Sequence, residues 1–523
     1  MTLSHLPLLT LLMLLSSQAF SWSNHTFAAY RAFENMPEIA KALPVKAQPL
    51  EVFLKDQEKA IEALLLSQEA WAATHIDAYP ARPAALAFKA NPARSDEARR
   101  LAFLTALRVA PNSKFALYLQ PDPWGPAPEP GKLLSHSAVN TLPEQANSSY
   151  RFVGVAPGDA LAPLSIVASA SDEPDYGLDI NLWQDSPSDW GKVYGFGALP
   201  FGNPALYFST QAPFHMGFYH EDRVIYLAAA FVKRTFPLLR VQQYTGLAAL
   251  AFRSGHAYWG WRFTGLALHY LQDLTQPYHA SLSPGNGSAK LIGINLLAMA
   301  GLPRLKDDMI VLLSNRHLAL EKYQHQLLEN AARSRQPTAF ERALGQSDKD
   351  AGYPAWSEHY TRDVVSRQSS AAGARLSDML VATMPPGYMS DPSFDFGVKE
   401  AGINLAAELA SQGSSTAAQR ARLDALIAEL LANFGAHSRN LVRGVLKAGA
   451  APLIRPQSPK PSKLSRPVNS HQKSGSNHPA QWQRLPLHLC TGYGQVASGD
   501  RFSRVCLGGQ QNQGWPSMAE RTG

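Results

Sequence analysis

Histidines and carboxylates at helical spacing are the residues of this sequence with the clearest capacity for chemistry. His269 and Asp273 stand four residues apart, so one face of a helix would direct both side chains to the same metal ion. Pro277 cannot continue a helical hydrogen-bond pattern, so His279 behind it would leave in a new direction and could bind a second ion. A carboxylate between two such sites can bridge two metal ions, whereas an imidazole cannot. The spacing therefore predicts metal binding.

Two pairs further along the chain repeat the spacing of four with a longer carboxylate. His317 precedes Glu321 by one helical turn, and His325 precedes Glu329 in the same way. Either pair could supply ligands to a metal ion, and spacing alone does not choose between them.

The first residues are typical of an export signal. Residues 6–15 form an apolar run of the length of a signal h-region, and small residues follow before a cleavage position after Ser21. Removal of residues 1–21 would make Trp22 the first residue of a secreted or periplasmic protein. Its free amine and its carbonyl oxygen could then chelate a metal ion together with His25.

Taken in order, these motifs resemble the bacterial zinc-dependent phospholipases C of the clostridial alpha-toxin type, whose trinuclear zinc site is shared by fungal single-strand nucleases. In that family the mature chain begins with Trp, as predicted here for Trp22. The family also carries an Asp and then a His before its central helix. Asp175, in the run Glu-Pro-Asp-Tyr, resembles the first of these. His215 resembles the second because a Phe-Tyr pair follows it, and His220 is the alternative.

The resemblance implies three zinc ions in an all-α domain. Their ligands would be Asp175, His215, His269 and Asp273 for the first ion, His279, His317 and Glu321 for the second, and Trp22, His25 and Asp273 for the third. Asp175 would also orient or deprotonate the attacking water, and Asp273 would bridge two ions. Tyr176 is similar to a tyrosine that contacts choline in the phospholipase branch, where cation–π attraction to a trimethylammonium group supplies the physical reason.

Three functions agree with these motifs. The first is an exported, monomeric zinc phospholipase C that splits phosphatidylcholine-like lipid at a membrane surface into diacylglycerol and a phosphorylated head group. The second is a zinc-dependent nuclease or nucleotidase that acts on single-stranded nucleic acid. The third is a non-catalytic helical binding protein that zinc stabilises. Tyr270 and the ending Pro277-Tyr278-His279 are closer to the phospholipase branch, so the first function is preferred.

The elements that must position these residues are predicted to be helices, which gives the fold class all-α. Helical apolar spacing covers residues 50–66, 92–108 and 423–434, and residues 225–252 and 255–276 indicate two long, mostly buried helices. The catalytic domain is predicted to span residues 22–450.

Two stretches of this predicted domain depart from the amphipathic helical pattern. Prolines, glycines and aromatic residues crowd residues 120–212, which favours long ordered loops, and residues 110–172 are predicted to be a loop-rich insertion. The apolar run 291–302 is too short to span a bilayer. It is predicted to form a buried core helix, with an interfacial contact to lipid as the alternative.

The basic character of the chain is confined to its end. Residues 451–523 hold nine of the 48 Lys and Arg residues and two acidic residues, so this tail carries the whole formal charge of +7. Residues 1–450 are formally neutral, which removes the electrostatic argument that the body binds nucleic acid. The tail is rich in Pro, Ser, Lys and Gln and is predicted to be a linker or disordered. It also holds both cysteines, Cys490 and Cys506, so thiol chemistry is excluded from the body.

Overall fold

A computed structural model describes residues 24–144, 150–202, 204 and 207–451, which form a mainly helical unit. Its α-helices are α1 His25–Phe33, α2 Pro37–Ala40, α3 Leu50–Asp56, α4 Glu58–His75, α5 Asp96–Leu107, α6 His136–Val139, α7 Pro163–Ala170, α8 Asp189–Tyr194, α9 Ala212–His215, α10 Arg223–Ala228 and α11 Pro237–Arg253. They continue as α12 Ala257–Asp273, α13 Pro277–Ala280, α14 Ser288–Met299, α15 Arg304–Ser334, α16 Ala339–Gly345, α17 Arg367–Thr383, α18 Pro386–Met389, α19 Phe396–Lys399, α20 Leu405–Ser411 and α21 Ser414–Ala450. The predicted all-α class is confirmed.

The strands are short and form two small antiparallel sheets within the described ranges. Strand β1 (Val45–Lys46) pairs with β5 (Ala160–Leu161), and β4 (Phe152–Gly154) lies between β2 (Tyr118–Leu119) and β3 (Leu133–Leu134). Four of these strands, β2 to β5, lie within the predicted insertion 110–172, where they cover nine residues and loops connect them. The predicted signal 1–21, Trp22, the cysteines and the tail beyond Ala451 lie outside the described residues.

Helix α12 is the centre of the fold. Every residue from Tyr258 to Asp273 is buried, which is the pattern of a helix that is surrounded by protein on all sides. Helices α11, α7 and α21 all pack against it. The prediction for residues 255–276 is therefore confirmed, with Pro277 opening the next short helix after a break of three residues.

The predicted helix over residues 225–252 is wrong in its first part. Helix α11 begins at Pro237, because proline lacks the N–H that an interior helical position needs but fits the first turn well. Residues 223–236 instead form α10 and a 3₁₀ turn at Ala230–Lys233. The long-loop prediction for residues 120–212 also missed α7, which packs between α1 and α12.

A glycine permits the close approach of α7 to α12. A Cβ atom at Gly265 would lie 2.5 Å from the Cβ of Ala170 and 2.7 Å from the carbonyl oxygen of Val167. Any side chain at this position would force the helices apart, because such contacts are far inside van der Waals distance. The contact matters for chemistry because α7 is followed by an acidic segment and α12 carries His269 and Asp273 one and two turns after Gly265.

The predicted core helix at 291–302 is the clearest correction. Residues 288–299 do form α14, but Leu291 is its one buried residue, whereas Leu296 and Leu302 are 57% and 58% exposed. Apolar composition alone cannot show which side of a helix has a partner. None of the helices in the described ranges combines the length and the apolar character needed to cross a bilayer.

His437 on α21 gives this fold a predicted sensitivity to acid. Its side chain is buried, its Nδ1 accepts a hydrogen bond from the Tyr360 hydroxyl at 2.8 Å, and its Nε2 lies 2.9 Å from the Gln368 Oε1. Burial lowers the pKa of His437 to about 3. Between pH 6.5 and 3, His437 is protonated in the unfolded chain but stays neutral in the folded protein. The free energy of unfolding therefore falls as the pH falls through this range.

We expect His437→Gln to lose this pH dependence. From pH 7 to pH 4 the free energy of unfolding of the unmodified protein should fall by about 3 kcal/mol more than that of the variant. Urea unfolding at both pH values measures the difference, and His359→Gln, at an exposed histidine, serves as the control. Equal pH dependence in His437→Gln and the unmodified protein would contradict the prediction.

Candidate metal centre

One face of α12 and the segments around it bring four predicted ligands together. His269 Nε2 lies 3.4 Å from Asp273 Oδ2, as the spacing of four requires. His215, the last residue of α9, places its Nδ1 2.9 Å from both of these atoms. Asp175, in a 3₁₀ turn after α7, places Oδ1 3.5 Å from His269 Nε2 and 3.8 Å from His215 Nδ1.

These separations fit tetrahedral coordination. Zinc–ligand bonds of about 2.0–2.1 Å place neighbouring ligand atoms about 3.3 Å apart, and the separations of 2.9–3.8 Å in this group bracket that length. A single ion could contact His215, His269 and Asp273 together, and Asp175 lies beside two of these ligands. Asp175 and His215 are 40 residues apart in the sequence, but they meet because the segments that carry them both pack on α12.

A second group lies where α13 meets α15. His279 Nε2 is 3.1 Å from His317 Nε2, and His317 Nε2 is 2.7 Å from Glu321 Oε1. The third separation, from His279 Nε2 to Glu321 Oε1, is 3.9 Å. Gln276 donates from Nε2 to the same Glu321 oxygen at 3.1 Å. All three potential ligands are buried, and together they could hold a metal ion.

His25 reaches the opposite side of Asp273. Its Nε2 lies 3.2 Å from Asp273 Oδ1, while Asp273 Oδ2 faces His215 and His269. The two oxygens of Asp273 therefore face different imidazoles, which is the arrangement that a bridging carboxylate needs. His25 also forms a potential metal-binding group with Asp175 and His269. Trp22, its predicted partner, lies outside the described residues.

Unsatisfied buried atoms point to a cation in this centre. His25 Nε2, Asp175 Oδ1 and Asp273 Oδ1 are buried and have no hydrogen-bond partner among the described residues. A buried polar atom without a partner costs about 1–3 kcal/mol, and more when it is charged. A metal ion bound to these atoms would remove that cost, so the donor set fits a cation.

The pKa directions support the same conclusion. Burial raises the pKa of Asp175 and of Glu321 well above the usual range, because neither carboxylate has enough positive charge beside it. Burial also lowers the pKa of His279 and of His317 to about 3, which keeps both imidazoles in the neutral form that binds metal. A cation bound among these groups would supply the positive charge that the two carboxylates lack, and the neutral imidazoles could bind it.

Asp273 differs from the other carboxylates. Burial acts to raise its pKa, but the imidazoles of His269, His215 and His25 hold it well below its usual range. Burial acts to lower the pKa of His25, yet the adjacent Asp273 carboxylate raises it to about 9. Without a metal ion, protons on imidazole balance this carboxylate, and a bound cation would take over that role.

The second ring nitrogen of three histidines is fixed by an acceptor. His269 Nδ1 donates to the carbonyl oxygen of Ser171 at 2.7 Å, and His279 Nδ1 donates to that of His215 at 2.9 Å. His25 Nδ1 donates to Gln272 Oε1 at 2.9 Å. Each bond directs Nε2 into the centre, where it would bind a metal ion in its unprotonated form, and this is the usual way in which proteins orient metal-binding imidazoles.

Sequence reasoning missed two buried aspartates in the segment that carries Asp175. Asp179 accepts from Arg240 at 2.7 Å and from the Tyr270 hydroxyl at 2.6 Å, and its Oδ2 lies 3.5 Å from His215 Nε2. The run Asp172-Glu-Pro-Asp-Tyr-Gly-Leu-Asp179 signals an acidic segment, but spacing cannot show which carboxylates face the histidines. Asp179 thus orients His215 from behind.

Asp172 tethers the first residues of α1 to the centre. Its Oδ1 accepts from the backbone N–H of His25 at 2.6 Å, and its Oδ2 accepts from the Thr26 hydroxyl at 3.1 Å. Gln120 donates to the same Oδ2 at 2.9 Å. These bonds hold the start of α1 beside α12, so His25 reaches Asp273.

The structure separates the alternatives that spacing left open. His220 is partly exposed, and its Nε2 lies 2.8 Å from the Arg362 carbonyl oxygen, outside the three groups. His325 stacks on Phe27 with ring centroids 5.9 Å apart. Glu329 pairs with Arg333 on the surface of α15. Of His215 and His220, it is therefore His215 that lies with the other predicted ligands. Of the two pairs on α15, it is His317 with Glu321.

Tyr176 lies in an aromatic cluster beside the centre. Its ring packs at centroid distances of 5.4–6.2 Å from Tyr118, Tyr150 and Phe152, and only 3% of its surface is exposed. Its hydroxyl contacts the Gln120 amide. These contacts show packing, and the predicted contact to choline stays a prediction.

The geometry of the described residues thus defines buried histidine–carboxylate groups that could hold metal ions. No protein-family model, no curated protein and no solved structure matches this chain.

Proposed function

We propose that this protein is an exported zinc-dependent phospholipase C. It would cleave phosphatidylcholine-like lipid into diacylglycerol and a phosphorylated head group. The observation that carries the proposal is the convergence of His25, His215, His269 and Asp273 with Asp175, next to the group of His279, His317 and Glu321. Neighbouring metal groups that share a buried carboxylate suit phosphoryl transfer, in which several oxygens carry developing charge.

Zinc is the cation that best suits these donors. Neutral imidazole nitrogens together with a few carboxylate oxygens favour zinc over magnesium and calcium, which prefer oxygen ligands alone. We propose three ions, with the third bound by His25, Asp273 and the amine and carbonyl oxygen of Trp22. Bound zinc would supply Lewis-acid stabilisation of phosphoryl oxygens and would lower the pKa of water to about 7.

Protein groups would complete the reaction. Asp175 lies beside His215 and His269 in this centre, and its carboxylate could also orient the attacking water or accept its proton. The pair Asp179–Arg240 would keep His215 in place while charge develops.

A formally neutral body agrees better with a zwitterionic lipid than with a nucleic acid. Residues 1–450 carry no net charge, whereas proteins that bind nucleic acid without sequence preference gain most of their affinity from basic side chains against phosphates. We therefore assign recognition of the phosphate to zinc and recognition of the lipid to apolar contacts.

A side-by-side assay tests the proposal. The protein should hydrolyse phosphatidylcholine in mixed micelles and a soluble phosphorylcholine ester, should leave single-stranded DNA intact, and should lose activity with a chelator. His215→Ala should lower the rate about 10³-fold, whereas the matched His220→Ala should retain most of it. Cleavage of DNA in place of lipid would replace the proposal with a nuclease. Fewer than two zinc ions per folded chain would exclude both enzymes.

A further inference from the structure

An apolar cavity of about 80 Å³ lies between α10, α14 and α15. Its walls include Ile225, Leu282, Leu291, Ile292, Met309 and Leu313. Of the described residues that line it, two carry polar side chains, and both have partners within the protein. Asn295 Nδ2 donates to the Leu291 carbonyl oxygen at 3.0 Å, and Ser283 Oγ accepts from Asn286 at 2.9 Å. The cavity therefore suits a purely apolar ligand, because a polar one would lose its hydrogen bonds to water.

The rim of the cavity is an exposed apolar surface. Leu227 on α10 is 82% exposed, and Leu296, a residue that lines the cavity from α14, is 57% exposed. Further exposed apolar side chains are Val224 on α10, Leu297 and Met299 on α14, Leu302 in the turn that follows, and Leu305 on α15. Exposed apolar side chains around an apolar cavity are typical of a place where lipid or another apolar partner binds.

Charge around this surface is nearly balanced. The segments 222–228 and 288–308 hold four basic residues, Arg223, Lys290, Arg304 and Lys306, and three acidic residues, Asp222, Asp307 and Asp308. A net charge of +1 gives little attraction to anionic lipid or to nucleic acid. It is compatible with contact to a zwitterionic lipid, in which apolar burial supplies the binding energy.

Two residues in the cavity wall are close in sequence to metal-binding residues. Leu313 lies one helical turn before His317 on α15, which corresponds to about 6 Å along the helix axis. Leu282 follows His279 by three residues, and its N–H is fixed by Glu221 at 2.7 Å. A molecule with its phosphate at His279, His317 and Glu321 could therefore extend an apolar chain towards the cavity.

We infer that this cavity, together with the exposed apolar surface at its rim, binds part of one acyl chain of the phospholipid whose phosphate is hydrolysed at the metal centre. The inference rests on the proposed function for the identity of the lipid. The exposed α14 would contact the membrane surface, and the cavity would draw one chain out of it, so that chain length contributes to substrate recognition.

Ala228→Trp tests the inference, because Ala228 lines the cavity and a bulky ring there would fill it. Hydrolysis is compared for long-chain phosphatidylcholine, dibutanoyl phosphatidylcholine and a soluble phosphorylcholine ester without acyl chains. We expect kcat/KM for the long-chain lipid to fall by about tenfold or more, with the chain-free ester unchanged. Leu66→Ser, at a 65% exposed leucine on α4, is the control for a general surface effect.

Binding of a fluorescent long-chain fatty acid separates this inference from the proposed function. The unmodified protein should bind it, and Ala228→Trp should bind it at least about tenfold more weakly. If none of the three esters is hydrolysed but this difference is seen, the cavity is a site for free fatty acid and the phospholipase proposal fails. Equal fatty-acid binding in both proteins, or an equal fall in kcat/KM for all three esters, would overturn the inference.

Discussion

Replacement of Asp273 by Asn is expected to lower the hydrolytic rate at least about 10³-fold, which corresponds to about 4 kcal/mol of transition-state stabilisation. Asp273 Oδ1 faces His25 at 3.2 Å, and Oδ2 faces His215 at 2.9 Å and His269 at 3.4 Å. An amide keeps the shape but loses the charge and one of the two oxygens. It cannot bind an ion on both sides, so the zinc content should fall as well.

Elemental analysis and steady-state kinetics on the soluble phosphorylcholine ester measure these two effects together. Asp307→Asn, at an exposed position on α15, is the matched control and should keep both the zinc content and the rate. A near-normal rate for Asp273→Asn with full zinc content would show that this carboxylate does not bridge ions.

Removal of metal by a chelator should destabilise the whole helical unit. The centre joins α1, the turn after α7, α9, α12, α13 and α15, and it would leave buried atoms without partners when it is empty. An ion present at 1,000 times its dissociation constant stabilises a protein by about 4 kcal/mol. The melting temperature should therefore fall by about 5–10 °C, and Zn²⁺ but not Mg²⁺ should restore it.

Two variants on the same helix localise this effect. Glu321→Gln should remove part of the chelator-sensitive stabilisation, because Glu321 belongs to the group with His279 and His317. Glu329→Gln, two turns further along α15, should behave as the unmodified protein does. A melting temperature that a chelator leaves unchanged, in protein that contains less than one zinc ion, would contradict the predicted role of metal in stability.

Local spacing predicted the part of the centre that depends on single helices. His269 with Asp273, and His317 with Glu321, lie one turn apart on α12 and α15, so the helical repeat alone sets their geometry. The break at Pro277 was equally local. The all-α class followed from apolar periodicity, which is a property of short windows of sequence.

Contacts between distant segments could not be predicted in this way. Asp179 acts on His215 through packing of the acidic segment against α9 and α11, and no repeat links the two residues. The start of α11 was predicted 12 residues too early, because apolar periodicity continued across the short elements before Pro237. Helix α14 was assigned to the core because composition shows that a helix is apolar but not whether a neighbour covers it.

The sequence by itself determined the helical class, the ligand types and the pairs that one helical turn brings together. The tertiary structure decided which of the competing histidines and carboxylates meet, since His215 and His220, or Glu321 and Glu329, differ only in the direction from which other helices approach. It also decided that the apolar helix α14, which packs on α15, has an exposed side. Spacing along the chain fixes the geometry of two residues on one helix. Whether side chains from distant segments meet depends on how those segments pack against each other.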